Sequence, residues 1–299
     1  MDQEELDNYI KSGKIASEAR EWSRSLIKEG ASILDIANSI ELKIIEIGGE
    51  VAFPVNVCIN DVTAHYTPKF NDKTVISEND VVKIDIGAHV DGFIADTAYT
   101  IDLSGKYGKM LEANEKALNN IIKLIKPGVQ LTDIGKLSQT TISDAGFKVI
   151  ENLTGHEIAQ YSLHAGLSIP NIPIAYEKKI EEGMVLAIEP FATDGCGKVI
   201  ESKHVEIFSL FEKKPVRVRE ARSLIDEVEK REGLPFAERW FLHEESKMTP
   251  VKLQLILQDL VKRKILKQYP VLHEKEGGTV SQFEHTIIVT ENGCEVTTK

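Results

Sequence analysis

Cysteine is scarce in this chain. The 299 residues hold three, Cys58, Cys196 and Cys294, scattered and without a C-x-x-C pair. An odd count without paired spacing argues against a disulfide framework or a thiolate zinc site, and it points to the reducing cytoplasm. Long apolar runs are missing as well. No stretch approaches the roughly 18–20 apolar residues that a spanning helix needs. The opening MDQEELDNY is acidic and has no apolar core, so neither a signal peptide nor a transit peptide is expected. Excess positive charge is also lacking: 36 Lys and Arg stand against 47 Asp and Glu, a formal net charge of −11. That balance argues against wholesale nucleic-acid binding, and no specific DNA partner is expected. What remains is ordinary for a soluble globular protein, with 42% hydrophobic and 28% charged residues. The length leaves room for one large α/β domain or two modest ones.

The most informative stretch is VVKIDIGAHVDGFIADTAYTID, residues 81–102. Two apolar runs flank Asp91-Gly92, a strong short-range hairpin signal. Each run carries one carboxylate where an apolar residue is the default, Asp85 and Asp96. A two-residue turn at Asp91-Gly92 places Asp96 opposite Gly87 and Asp85 opposite Ala98. The two aspartates then share a face as diagonal neighbours, roughly 7–8 Å apart. Carboxylates on an apolar face need a partner. Lys83 reaches the same face only if the strand is regular, and a divalent metal is the more economical counter-charge. A turn cap and a solvent-facing aspartate are the alternative.

The chain also repeats itself. Residues 4–28 read as an amphipathic helix with Ile15, Ala19, Trp22 and Leu26 on one stripe, ended by Gly30. Ser32-x-x-Asp35 opens a second helix, to about Glu46, as a capping box. Leu26-Ile27-Lys28-x-Gly30 and Asp35-Ile36 return as Leu124-Ile125-Lys126-x-Gly128 and Asp133-Ile134 at a constant offset of 98, which Gly48 and Gly146 keep. Glu78-x-x-Val81 with Ile84-Asp85 is echoed by Glu182-x-x-Val185 with Ile188-Glu189 at an offset of 104. Two similar halves follow, each a helix pair and then strands, and each delivers a carboxylate from the end of an apolar strand.

Between the repeats, ENLTGHEIAQYSLHAG sets His156 and His164 among glycines, in a chain with eight histidines. His65 occupies the corresponding region of the first half. A lone histidine is more often structural than a ligand; two in such a segment shift that balance. Segment 202–268 breaks the pattern, with 15 Lys and Arg against 11 Asp and Glu, net +4 where the remainder carries −15. It reads as helices over 219–232, 235–245 and 250–266, the last opening with Thr249-Pro250, a winged-helix-like insertion. It is either a lid or a docking surface for RNA or the ribosome, or a helical insertion with ordinary snorkelling Lys and Arg. Beyond it, Gln282-Phe283-Glu284-His285 leads into another apolar strand that carries a carboxylate.

Asp85, Asp96, His156, Glu189 and Glu284 form an oxygen-rich donor set suited to two divalent ions. IDIGAHVDGFIADTA, LTGHEIAQYSLHAG, MVLAIEPFAT and QFEHTIIVTENG resemble the signature segments of methionine aminopeptidases, and the order Asp, Asp, His, Glu, Glu is that family's ligand order. The resemblance spans essentially the whole chain. The long Glu189–Glu284 separation resembles type 2 enzymes, and the short N-terminal region resembles their archaeal form.

The resemblance implies the duplicated "pita-bread" α/β fold, with a catalytic domain of residues 1–201 and 269–299 and a helical insertion of 202–268. It implies an aminopeptidase that removes the initiator methionine from nascent polypeptides and prefers a small second residue. The acidic chain without an obvious coiled coil leans monomeric, and transient ribosome contact is one open reading of the basic insertion. Asp96, His156, Glu189 and Glu284 would hold one ion, and Asp85, Asp96 and Glu284 the other, drawn from Co2+, Mn2+, Fe2+ or Zn2+. The implied mechanism is attack by a water activated between the two ions, with Glu189 as general base. His164 would serve the developing oxyanion, and His65 the substrate amine or leaving group. Phe53, Pro54, Leu163, Tyr269 and Leu272 would wall the methionine pocket. Two rivals are an X-Pro peptidase on the same fold, which usually carries a sizeable domain ahead of its catalytic half, and a non-catalytic RNA- or ribosome-binding relative, which is expected to have lost metal ligands.

Overall fold

The computed structural model describes residues 1–242 and 248–299. Its first half opens with α1 (Gln3–Ser23), capped by Asp2, whose Oδ1 accepts from the Glu5 amide while the Glu5 carboxylate accepts from the Asp2 amide. The helix is shorter than its pattern suggests. It tightens into a 3-10 turn over Arg24–Leu26; Ile15 and Ala19 are buried, while Trp22, still within α1, is 39% exposed. Then α2 (Ile33–Glu46) starts where Ser32 accepts from the Asp35 amide. The strands β1 (Glu50–Ile59), β2 (Val62–Ala64), β3 (Val81–Val90) and β4 (Phe93–Asp102) follow.

The second half repeats this order with α3 (Gly108–Leu124), α4 (Leu131–Asp144), β5 (Lys148–Val149), β6 (Thr154–Ile158), β7 (Ser168–Pro170), β8 (Val185–Ile188) and β9 (Phe191–Thr193). The offsets seen in the sequence are physical. Gly30 and Gly128 have φ of 77° and 90°, and Gly48 and Gly146 have φ of 90° and 89°, left-handed stops that only glycine adopts without strain. Gly30 donates to the Ile76 carbonyl as Gly128 donates to that of Ile180. Antiparallel β1-β3-β4 form one sheet, and β6 and β8 stand in the corresponding places of the second.

The remaining elements are β10 (Val199–Leu210), α5 (Arg219–Glu229), β11 (Phe236–Ala237), α6 (Pro250–Lys262), β12 (Leu266–Glu274), β13 (Val280–Gln282), β14 (His285–Thr290) and β15 (Gly293–Val296). The sheets they complete run β7-β6-β8-β14-β15, β5-β9-β13 and β11-β10-β12-β2. The middle helix expected over 235–245 is not there. Phe236 and Ala237 pair with Phe208 and Ile207 of β10, and a 3-10 turn follows over Glu238–Phe241; residues 243–245 lie outside the described residues. Long-range pairing to a buried strand outweighs local helix preference at this point. The flanking helices also end early, at Glu229 and Lys262; after the second, Leu266 already belongs to β12. Leu224, Val228, Leu253, Leu257 and Leu260 pack on Phe208 and Phe236 in one hydrophobic cluster, with Phe70 against it.

A seam of threonine hydroxyls joins the two halves. Thr286 Oγ1 accepts from the Asp96 amide (2.7 Å) and donates to the Asp96 carbonyl (2.8 Å). Thr97 Oγ1 donates to the Glu284 carbonyl (2.9 Å), and Thr100 Oγ1 donates to that of Gln282 (2.7 Å). This seam carries Asp96 and Glu284 to one place.

Candidate metal centre

The β3–β4 ladder has the register expected from its turn. Asp85 is opposite Ala98, Asp96 is opposite Gly87, and the ladder closes at Val90–Phe93. Asp91 and Gly92 have φ of 50° and 81°, the pair of positive values a type I′ turn requires. Gly87 has no room for a side chain, since an added Cβ would strike the Phe53 ring. Glu189 follows directly on β8, Glu284 lies between β13 and β14, and His156 on β6 is opposite Ala187.

These five residues converge at the base of a cavity of about 240 Å³. Asp96, His156 and Glu284 each offer a ligand atom within 4.8 Å of one another. His156 Nε2 lies 3.6 Å from both Asp96 Oδ2 and Glu189 Oε1. That is too long for a hydrogen bond, but it suits donors sharing one cation through bonds of about 2.0–2.2 Å. Asp85 Oδ1, Asp96 Oδ1, His156 Nδ1 and Glu284 Oε1 are buried without a hydrogen-bond partner. Burial pushes the Asp85 carboxyl up to about 7. Burial and the neighbouring negative charges hold Asp96, Glu189 and Glu284 well above the usual carboxylate range. Lys83 does not neutralise them. It shares the face of Asp85, yet its Nζ donates to the carbonyls of Asn60 (2.9 Å) and Val280 (3.0 Å). Four crowded carboxylates, one imidazole and orphaned oxygens fit divalent cations and fit poorly with anything else.

The cavity walls combine histidine with apolar surface. The His164 ring lies 4.4 Å from that of His156, and burial, with His156 adding, lowers its pKa to about 3. Burial likewise lowers His156 to about 4. His65 has φ of 63°, an uncommon conformation outside glycine. Its Nδ1 lies 3.2 Å from the Pro270 carbonyl, and its ring meets Tyr269 edge-on at 5.7 Å. Phe53, Leu163 and Tyr269 line the cavity. Two expected pocket residues do not. Pro54 is buried outside it, within a register slip of β1 between Phe53 and Asn56, both of which line the cavity. Leu272 lines an adjoining cavity of about 360 Å³ that shares His65, His164 and Tyr269.

Several lining residues escaped the sequence reading. Gln282 Nε2 is 3.3 Å from Glu189 Oε2 and 3.5 Å from Glu284 Oε2; two-residue strand alternation from Glu284 was the available signal. Asn56, opposite Asp85, was a polar residue inside an apolar strand. Ile207 and Pro235 come from the insertion, and no local signal marked them. His204 sits apart, 2.9 Å from Glu206 Oε1.

Comparison with known proteins places this geometry in a class. Residues 7–291 match the model of metallopeptidase family M24, and the chain belongs to that family. Within it, the similarity is to methionine aminopeptidases. The chain is 46% identical to the methionine aminopeptidase of Methanocaldococcus jannaschii over 300 residues, covering 100% of both chains. It is 44% identical to that of Pyrococcus horikoshii, covering 99% of this chain and 100% of the relative. The crystal structure of a methionine aminopeptidase from Thermotoga maritima superposes with a TM-score of 0.73 at 23% identity, over 100% of this chain and 98% of the other. The protein is a metallopeptidase with the pita-bread fold. Among the described residues no helix is long and apolar enough to cross a membrane.

Proposed function

We propose that this chain removes the N-terminal methionine from nascent polypeptides in the cytoplasm, with preference for a small second residue. The observation that carries this is the five-donor cluster at the base of a small cavity with apolar walls. All five donors belong to one chain, and a monomer is the proposed working unit. Asp96, His156, Glu189 and Glu284 would hold one divalent ion, and Asp85, Asp96 and Glu284 a second. Bound there, the ions would supply Lewis acidity and lower the pKa of an attacking water.

The chain's own groups do the rest. Glu189 accepts a proton from the attacking water, while the Gln282 amide keeps its carboxylate oriented. His164, beside His156, donates to the oxyanion that develops on the scissile carbonyl. His65 commits Nδ1 to the Pro270 carbonyl, which leaves Nε2 for the substrate amine or the leaving group. Phe53, Leu163 and Tyr269, joined by Ile207 and Pro235, accommodate a thioether side chain. These last two contacts favour a pocket-shaping role for the insertion of 202–268.

A panel of Met-Ala, Met-Gly and Ala-Pro peptides tests the reading. Preferential release of methionine is expected, and preferential turnover of Ala-Pro would sink it.

A further inference from the structure

The backbone of Val51–Asn56 should be the weak part of the pocket wall. Pro54 lacks an N–H, and pairing with β3 slips between Val51 and Phe53 and again between Phe53 and Asn56. Buried backbone groups released from a ladder need other partners, and they find charged ones outside the cavity. Arg231 Nη2 donates to the Val51 carbonyl (2.7 Å), while its Nε donates to the carbonyl of Pro235 (3.1 Å). The Val55 amide donates to Glu41 Oε1 (3.1 Å). The Val55 carbonyl accepts from Thr67 Oγ1 (2.8 Å), which in turn accepts from Arg239 Nη1 (2.6 Å). Arg239 pairs with Glu41, both buried, and Trp240 Nε1 donates to Glu41 Oε2 (2.8 Å). The Arg231 guanidinium lies 4.8 Å from the centre of the Trp240 ring.

Arg231 and Arg239 come from the insertion, Glu41 comes from α2, and Phe53, Asn56 and Pro235 line the cavity. We propose that Arg231 and the Arg239–Glu41 pair are positioning residues that shape the side-chain pocket from outside, by fixing Val51–Asn56 and Pro235 against each other. The proposal rests on the functional reading above and extends it: selectivity for the first residue is set by insertion side chains that touch no substrate. A buried ion pair sharing hydrogen bonds with a backbone segment fixes geometry more than it adds stability.

The test uses Arg231→Met, which keeps the apolar stem, and Arg239→Lys, which keeps the charge but not the fork. Steady-state cleavage of Met-Ala-Ser and Leu-Ala-Ser is measured together with Mn2+ binding by calorimetry. For both variants KM for Met-Ala-Ser should rise about tenfold and the Met-to-Leu ratio of kcat/KM should fall about tenfold, with kcat and Mn2+ affinity within about threefold of wild type. Unchanged KM and ratio would overturn the proposal. So would a loss of thermal stability with an unchanged ratio below the melting temperature, the outcome of a merely structural role. Wild-type protein that leaves Met-Ala-Ser uncut would overturn the functional reading as well; wild-type turnover with unresponsive variants overturns this proposal alone.

Discussion

Asp85 and Asp96 stand diagonally across the β3–β4 ladder, opposite Ala98 and Gly87 respectively. Their common face depends on a turn of two residues. Removing one residue would send one carboxylate to the far side of the sheet. Deleting Gly92 should therefore abolish binding of two ions per chain without altering a ligand. Intact two-ion occupancy in that deletion, measured by metal analysis, would refute the register argument. Gly92→Ala should be milder and destabilise by about 1–3 kcal/mol, because the position has φ of 81° and an added Cβ would meet the Tyr161 ring.

Asp96 is pressed by burial and by the charges of Asp85 and Glu189. Asp96→Asn should lower kcat/KM by more than about 100-fold, beyond what changes around a ligand shell produce. It should also raise the melting temperature of metal-free protein by relieving repulsion. Calorimetry of stripped wild type and variant checks the second half, and a lower melting temperature in the variant would contradict it.

Metal removal should cost stability as well as activity. Ions that bind only the folded chain stabilise it by about 2.7 kcal/mol at a hundred times their dissociation constant. Thermal melts of stripped wild type with and without saturating Mn2+ should show that gain. Asp96→Asn should show little of it.

Gln282 touches two of the carboxylates. Gln282→Met, similar in volume, should weaken metal affinity about 10- to 100-fold, read by competition with a chelator. Unaltered affinity would remove Gln282 from the site's supporting role.

Glu274 gives a pH dependence independent of the metal centre. Burial raises its pKa, but the Cys196 side chain and the amides of Gly278, Glu276 and Cys196 outweigh that and hold it at about 2. A carboxyl depressed in the folded state stabilises above its unfolded value and loses that contribution as pH falls toward the folded one. Glu274→Gln should thus be less stable than wild type at pH 7, and the gap should close between about 4.5 and about 2. A pH-independent gap in chemical denaturation would contradict this.

Much of the architecture was legible because it is local or repeated. The hairpin register follows from Asp91-Gly92, and the two halves follow from glycine stops and helix starts at fixed offsets. Convergence of Asp85, Asp96, His156, Glu189 and Glu284 could be expected from carboxylates in or at the ends of apolar strands and a histidine set among glycines. What stayed hidden depends on pairing between distant segments. Pro235-Phe236-Ala237 carries a helix-start pattern, yet it pairs with β10 and delivers Pro235 to the cavity. Pro54 and Leu272 were placed in the pocket from motif position, and neither the slips in β1 nor the pairing of Leu272 with Ala64 can be read from the residues alone.

The central claim is that Asp85, Asp96, His156, Glu189 and Glu284 hold two divalent ions needed to release N-terminal methionine. The most direct measurement titrates Mn2+ into stripped protein while following both stoichiometry and cleavage of a Met-Ala peptide. The account predicts saturation at two ions per chain, no turnover by the stripped form, and recovery of turnover on reloading. Full methionine release by stripped protein would contradict it.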